Sequence, residues 1–333
     1  MSKIPRDKIA TWFVTGASSG VGHELCKQLL ERDYNIVAVA RRIPAFKHDN
    51  ALCLSCDVTD PKSVASAVAL GVKKFGRIDV LSNNAGITSS LFIEDETLEH
   101  LQMVMQVNYF GTFNTMKALI PHFRANGHGT IINNTSQSGL SPRIGGCAYC
   151  SSKYAIEGLT GVAKIETQHF CRVITLELGY FRGTEVSKTA GQTDNQYRNK
   201  TDELKRNLEV YKNLTPLHKP YTMKNFYNDL APGIKYLIDE IENRSPQRRL
   251  ILGKDAVIKV TGEIESLQHD LNASMNRALA VSKNIKYKRH RILRLIIKSL
   301  VDKKRYKKLK EDPGSFFADS QSTIIKFIGK FYD

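Results

Sequence analysis

Eight residues near the start of the chain, Thr15-Gly16-Ala17-Ser18-Ser19-Gly20-Val21-Gly22, have the composition and spacing of an anion-binding turn. They follow a short apolar run, Thr11 to Val14, and open a segment with Val21, Leu25, Leu29 and Leu30 at helical spacing. Glycines let a backbone approach a pyrophosphate closely. The helix start then offers unpaired N–H groups and a partial positive charge. Cysteine is the other residue type that invites a chemical reading. Cys53/Cys56 and Cys147/Cys150 both have Cys-x-x-Cys spacing, whereas Cys26 and Cys171 stand alone. The first pair flanks the end of an apolar strand, and the second brackets a motif with its own explanation. Free thiols are therefore expected, and no metal site.

The elements that must position the glycine turn alternate along the first part of the chain. Strands are expected at Asn35 to Ala40, Ala51 to Leu54, Ile78 to Leu81, Thr130 to Ile132, Arg172 to Leu176 and Arg249 to Leu252. Helices are expected at Val21 to Arg32, Pro61 to Lys74 (with Asp60 as cap), within Leu98 to Phe123, at Ser151 to Thr167 and at Tyr221 to Glu242. Buried-looking strands separated by helices predict an α/β fold, a parallel sheet covered on both faces. Such sheets bind ligands beyond the carboxyl ends of their strands.

The Gly-x-x-x-Gly-x-Gly spacing of Gly16, Gly20 and Gly22 resembles the short-chain dehydrogenase/reductase family, whose motif is TGxxxGxG. Further residues fall where that family has them. Asn83-Asn84-Ala85-Gly86 follows the fourth strand, and Asn108 lies in the next helix. Ser136 follows the fifth strand, thirteen residues before Tyr149-Cys150-Ser151-Ser152-Lys153, which reads Tyr-x-x-x-Lys. The resemblance covers roughly residues 8 to 260 and implies a doubly wound Rossmann-type domain that moves a hydride between a nicotinamide and a carbinol carbon. It assigns catalysis to Asn108, Ser136, Tyr149 and Lys153. It assigns cofactor binding to Thr15, Gly16, Ser18, Ser19, Gly20, Val21 and Gly22 in the first turn. Asp57 and Val58, Asn84 to Gly86, Tyr149, Lys153, Phe181 and Thr184 join them.

The chemistry explains these residue types. Tyrosine titrates near 10, too high for a base at neutral pH. An ammonium beside it favours the phenolate, and Lys153 lies one helical turn from Tyr149. Ser136 would fix the substrate oxygen, and Asn108, by resemblance, would hold a water linking Lys153 to solvent. The second strand ends in Ala40-Arg41-Arg42. An acid there would select NAD, whereas a guanidinium suits a 2′-phosphate, so NADP(H) is the expected cofactor. One departure stands out. Leu178-Gly179 replaces the family's usual Pro-Gly, and Thr184 falls one residue late.

Composition bounds the rest. The 333 residues are 41% hydrophobic and 25% charged, with a net charge of +16. Neither a signal segment nor a spanning apolar run is present, so a cytoplasmic location is expected. Thirteen Lys and Arg against one acid, Asp302, lie between Lys283 and Lys310 and hold three quarters of the excess charge. The catalytic domain is expected over 8–262, with 184–225 as the substrate-loop region. Residues 263–333 are expected to form a basic helical extension. Leu293, Ile296, Ile297, Leu300 and Val301 make an apolar stripe within it. It is read as packing on the body or on a second subunit, with anionic-membrane contact through 283–310 as the competing reading. Nucleic acid is disfavoured because no base-reading motif accompanies the charge. The expected function is reduction or oxidation of a small-molecule carbonyl or secondary alcohol, apolar in character, by a homo-oligomer. The alternative is a dinucleotide sensor without turnover.

Overall fold

The computed structural model describes residues 10–143, 145–182, 184, 228–243 and 245–281. Seven strands form one parallel sheet: β1 (Thr11–Thr15), β2 (Asn35–Ala40), β3 (Ala51–Ser55), β4 (Val80–Asn83), β5 (Gly129–Asn134), β6 (Cys171–Leu178) and β7 (Arg249–Leu252). Their order is β3-β2-β1-β4-β5-β6-β7. Every pairing is parallel. The chain reverses its direction of travel across the sheet between β1 and β4. In an open α/β sheet this switch point is where a crevice forms.

Seven helices accompany the sheet among the described residues. They are α1 (Gly20–Leu30), α2 (Pro61–Phe75), α3 (Leu98–Met105), α4 (Gly111–Asn126), α5 (Cys147–Glu166), α6 (Leu230–Glu242) and α7 (Lys254–Val281). Alternation along β1 divides the core. Trp12 and Val14 join one cluster with Leu25, Leu29, Leu237 and Ile238 of α1 and α6. Phe13 points the other way, into a cluster with Val64 of α2 and Met116, Leu119 and Phe123 of α4. Both faces of the strand are thus covered, which is why all five of its residues are buried. Asp60 caps α2 as expected, accepting from the Lys62 amide at 2.9 Å, with Pro61 in the first turn.

Three expectations are corrected. The helix expected within Leu98 to Phe123 is two helices, α3 and α4, joined by a π-helical turn, Gln106–Phe110, that holds Asn108. Helix α5 starts at Cys147, not Ser151, so Tyr149 and Lys153 occupy its first two turns. Helix α6 starts at Leu230, because Asn228 pairs instead with Phe181 in a parallel bridge. Residues 221–227 lie outside the described residues, as does nearly all of the 184–225 substrate-loop region.

The chain divides into two compact units, Met1–Gln268 and His269–Asp333. In the second, the described residues are the end of α7. The basic stretch 283–310 and its membrane reading fall outside the described residues. Among the described residues, no helix is long and apolar enough to cross a membrane.

Candidate active site

A cavity of about 660 Å³ opens beyond the carboxyl ends of the central strands. The turn after β1 forms its floor. Gly16 has φ +64°, and a Cβ there would sit 2.9 Å from the Ala85 backbone. At Gly22 a Cβ would meet the Gly16 carbonyl oxygen at 2.6 Å. Only glycine allows β1, the turn and the start of α1 to nest this tightly. The resulting cradle presents Ser18, Ser19 and the N-terminus of α1 to the cavity. Such a cradle fits a pyrophosphate.

Arg41 and Arg42 follow β2 at the cavity edge, both exposed. Asp57 lies across from them, and its Oδ1 accepts from the Thr59 amide at 2.9 Å and the Thr59 hydroxyl at 2.8 Å. The amide bond is the main reason its carboxyl stays below the ordinary value, with the Arg41 charge helping. Asn84 and Gln137 also line the cavity, and each has a buried side-chain oxygen without a hydrogen-bond partner. A ligand with hydroxyl or amide donors, such as a nicotinamide dinucleotide, would satisfy both.

Ser136, Tyr149 and Lys153 come together on one wall. Ser136 accepts from the Ser138 amide at 3.1 Å, and its hydroxyl helps lower the Tyr149 phenol. Lys153 Nζ donates to the Asn134 carbonyl at 2.8 Å and lies 5.6 Å from the centre of the Tyr149 ring. Burial pushes the Tyr149 phenol up to about 12, and Ser136 and the Arg143 charge only partly offset it. Burial likewise pulls the Lys153 amine down to about 8, against the pull of Glu157. In the protein alone, burial is the largest influence on both groups and shifts each toward its neutral form.

Two predicted residues support the cavity without lining it. Thr15 is buried, and its hydroxyl accepts from the amides of Asn84 at 2.9 Å and Ala85 at 3.0 Å. Asn108 is fully buried in the π turn. Its Oδ1 accepts from the Ile87 amide at 2.8 Å, and both amide hydrogens are spent, on the Ile87 carbonyl at 3.0 Å and the Ser152 hydroxyl at 2.9 Å. Its side chain fastens the Gly86 turn to α5, a job for which the sequence carried no signal.

The loop after β6 is fixed by long-range hydrogen bonds. The Gly179 amide donates to the Leu252 carbonyl at 2.9 Å, and the Tyr180 amide to Asp255 Oδ2 at 2.9 Å. Asn228 Nδ2 bridges the Tyr180 carbonyl and Asp255 Oδ1, at 3.0 and 2.8 Å. Phe181 and Thr184 both line the cavity, and the Thr184 hydroxyl donates to the Phe181 carbonyl at 2.9 Å. All other predicted site residues line the cavity too. Sequence reasoning missed Arg143, Gln137 and Tyr180, which also line it. No motif marks them, because Arg143 and Tyr180 sit in loops and Gln137 in a single 3-10 turn whose course only the packing sets. The six cysteines are free, and among the described residues no group of three or more His, Cys, Asp or Glu side chains is placed to hold a metal.

The Lys153 shift has a consequence for stability. Unfolded, the amine holds its proton to its ordinary value of 10.5; folded, only to about 8. Between those values the unfolded state binds more protons, so stability rises with pH. Tyr149 acts oppositely from pH 10 to about 12, where the folded state keeps a proton the unfolded state has lost. Urea denaturation of Lys153→Met at pH 8 and pH 10 is expected to lack a gain on the order of 2–3 kcal/mol that the unaltered chain shows. Equal gains in both proteins would contradict it.

Comparison with known proteins agrees with this architecture. The sequence profile of the short chain dehydrogenase family matches residues 10–195. An oxidoreductase of Staphylococcus saprophyticus is 30% identical over 254 residues, covering 74% of this chain and 96% of its own length. A 3-ketodihydrosphingosine reductase of Bacteroides thetaiotaomicron is 33% identical, over 60% of this chain and 74% of its own. The crystal structure of a short-chain dehydrogenase from Streptomyces avermitilis superposes with a TM-score of 0.68 at 26% identity, covering 82% of this chain and 99% of the other. The chain belongs to the short-chain dehydrogenase/reductase family and is an oxidoreductase of that family.

Proposed function

We propose that the protein is an NADP(H)-dependent reductase that interconverts a carbonyl and a secondary alcohol on an apolar, lipid-, steroid- or polyketide-like compound. The observation that carries this reading is that Ser136, Tyr149 and Lys153 line the same cavity as the Gly16–Gly22 cradle. The cofactor supplies the hydride in reduction and takes it in oxidation. Ser136 orients the substrate oxygen, and the Tyr149 hydroxyl gives that oxygen its proton or takes it back. Lys153, held by the Asn134 carbonyl, steadies negative charge on the phenol. Thr15 and Asn108 act as positioning residues through the Asn84–Ile87 turn. A dinucleotide sensor would not need this proton-handling set, which favours turnover.

A phenol pushed up to about 12 keeps its proton at neutral pH. It is ready as an acid, the role reduction needs. The apolar substrate class is supported by Ile87, Val107, Leu178, Tyr180 and Phe181 in the cavity lining. The long-chain ketone reduced by the Bacteroides relative points the same way. NADP(H) is supported by the exposed Arg41 and Arg42 at the end of β2, where Ala40 leaves no carboxylate to repel a 2′-phosphate. A homo-oligomer is supported by large apolar side chains left exposed on neighbouring elements: Phe110 and Phe113 at the start of α4, and Val162 and Ile165 on α5.

Four outcomes are expected. With a ketone found by following NADPH absorbance, Tyr149→Phe lowers kcat by roughly 10²- to 10⁴-fold. The unaltered enzyme's alcohol oxidation rises with pH from 7 to 10 while ketone reduction does not; unchanged turnover in the variant would refute the acid/base role. Titration gives NADPH a lower Kd than NADH, and Arg41→Asp removes the difference. Sedimentation shows an oligomer that Val162→Asp together with Ile165→Asp dissociates.

A further inference from the structure

Arg143 lies in the loop between Ser136 and Tyr149 and lines the cavity. Its Cζ is 5.7 Å from the centre of the Tyr149 ring, about as far as Lys153 Nζ. The arginine stem fits because residue 146 is glycine: a Cβ there would come within 3.0 Å of Arg143 Cγ. The guanidinium donates to the Ser89 carbonyl at 2.6 Å and the Ser90 hydroxyl at 3.2 Å. Both partners are neutral. A guanidinium has five N–H donors in one plane, so donors remain. Among the described residues, no carboxylate lies within ion-pairing distance of it. A half-buried cation without a counter-charge is costly, and the cost is relieved when an anion arrives.

The surroundings lean the same way. Lys259 Nζ lies 5.6 Å over the ring of Tyr180, another cavity residue, and the Arg143 charge helps hold the Lys259 amine below its ordinary value, although burial is the larger cause. The acid of this corner, Asp255, is already engaged by the Tyr180 amide and Asn228. On the loop that Arg143 grips, the hydroxyls of Thr88 and Ser89 are buried without hydrogen-bond partners. Of these groups, Arg143 and the spare Thr88 hydroxyl line the cavity that also holds Tyr149.

We propose that Arg143 binds a carboxylate carried by the substrate a few bonds from its carbonyl, which makes the preferred substrates oxo acids with an apolar chain. The planar fork of a guanidinium matches the two oxygens of a carboxylate. The proposal rests on the carbonyl-reductase reading and narrows its substrate class.

The test compares a nine-carbon γ-oxo acid with its methyl ester, which differ in the charge and one methyl. The unaltered protein should prefer the acid by about tenfold or more in kcat/KM, mostly through KM. Arg143→Gln should bring the ratio near one, and Arg143→Lys should restore part of it. Because Arg143 also grips the Ser89–Ser90 loop, the acid-to-ester ratio within each variant serves as internal control. Ser90→Ala, which loosens the loop and keeps the charge, should leave the ratio high. Equal ratios in the unaltered protein and Arg143→Gln would overturn the proposal. Reduction of neutral ketones but not of the oxo acid would overturn it and leave the reductase reading standing. Failure to consume NADPH with the acid, the ester or a panel of ketones would overturn both.

Discussion

The Thr15 hydroxyl accepts from two consecutive amides, those of Asn84 and Ala85, and thereby ties the end of β1 to the turn after β4. The approach is so close that a Cβ on Gly16 would collide with the Ala85 backbone. These two strands flank the switch point of the sheet. Spread them apart and the cradle, the Asn84 turn and the entrance to the crevice lose their common origin. Next to this contact, a buried polar chain links the same turn to the helices. Thr115 donates to Asn83, Asn83 to Asn133, and Asn133 to Thr160, at 2.6, 2.9 and 2.9 Å. Fully satisfied networks of this kind are rigid, because breaking one bond strands a polar group in the core.

That rigidity lets the site hold groups in forms water would not favour. Tyr149 and Lys153 are both buried on a helix whose first turns pack under the strand ends. Burial drives the phenol up and the amine down, so at neutral pH Tyr149 stays neutral while the Lys153 charge is held at a cost. Stability is lowered where function needs charge. The surrounding scaffold offsets it through two apolar clusters on either side of the sheet.

The loop after β6 illustrates how one architecture absorbs a local change. Its usual proline is Leu178 here, and the stiffening a proline would give is absent. Asp255 and Asn228, far along the chain, supply hydrogen bonds that hold Tyr180 and the carbonyls around it. A Cβ at Gly179 would strike Asp255, so that glycine is needed for the support to reach the loop. The loop's geometry is thus set by long-range contacts more than by its own residues.

The sequence by itself determined the parallel sheet, the glycine cradle, the place of Arg41 after β2, and the Ser136, Tyr149 and Lys153 set. The sheet and the cradle are local, decided by apolar periodicity and glycine spacing, while the Ser136, Tyr149 and Lys153 set was legible through its resemblance to the family. The tertiary structure alone decided that Thr15 and Asn108 stand behind the cavity, that Asn108 occupies a π turn, and that α5 begins four residues early at Cys147. It also decided that Arg143 reaches the Tyr149 ring and that burial, more than any neighbouring charge, sets the phenol. Each of these depends on which distant segments meet and how much water they exclude. Desolvation and long-range hydrogen bonding are properties of the packed chain, so residue types and spacing carry no record of them.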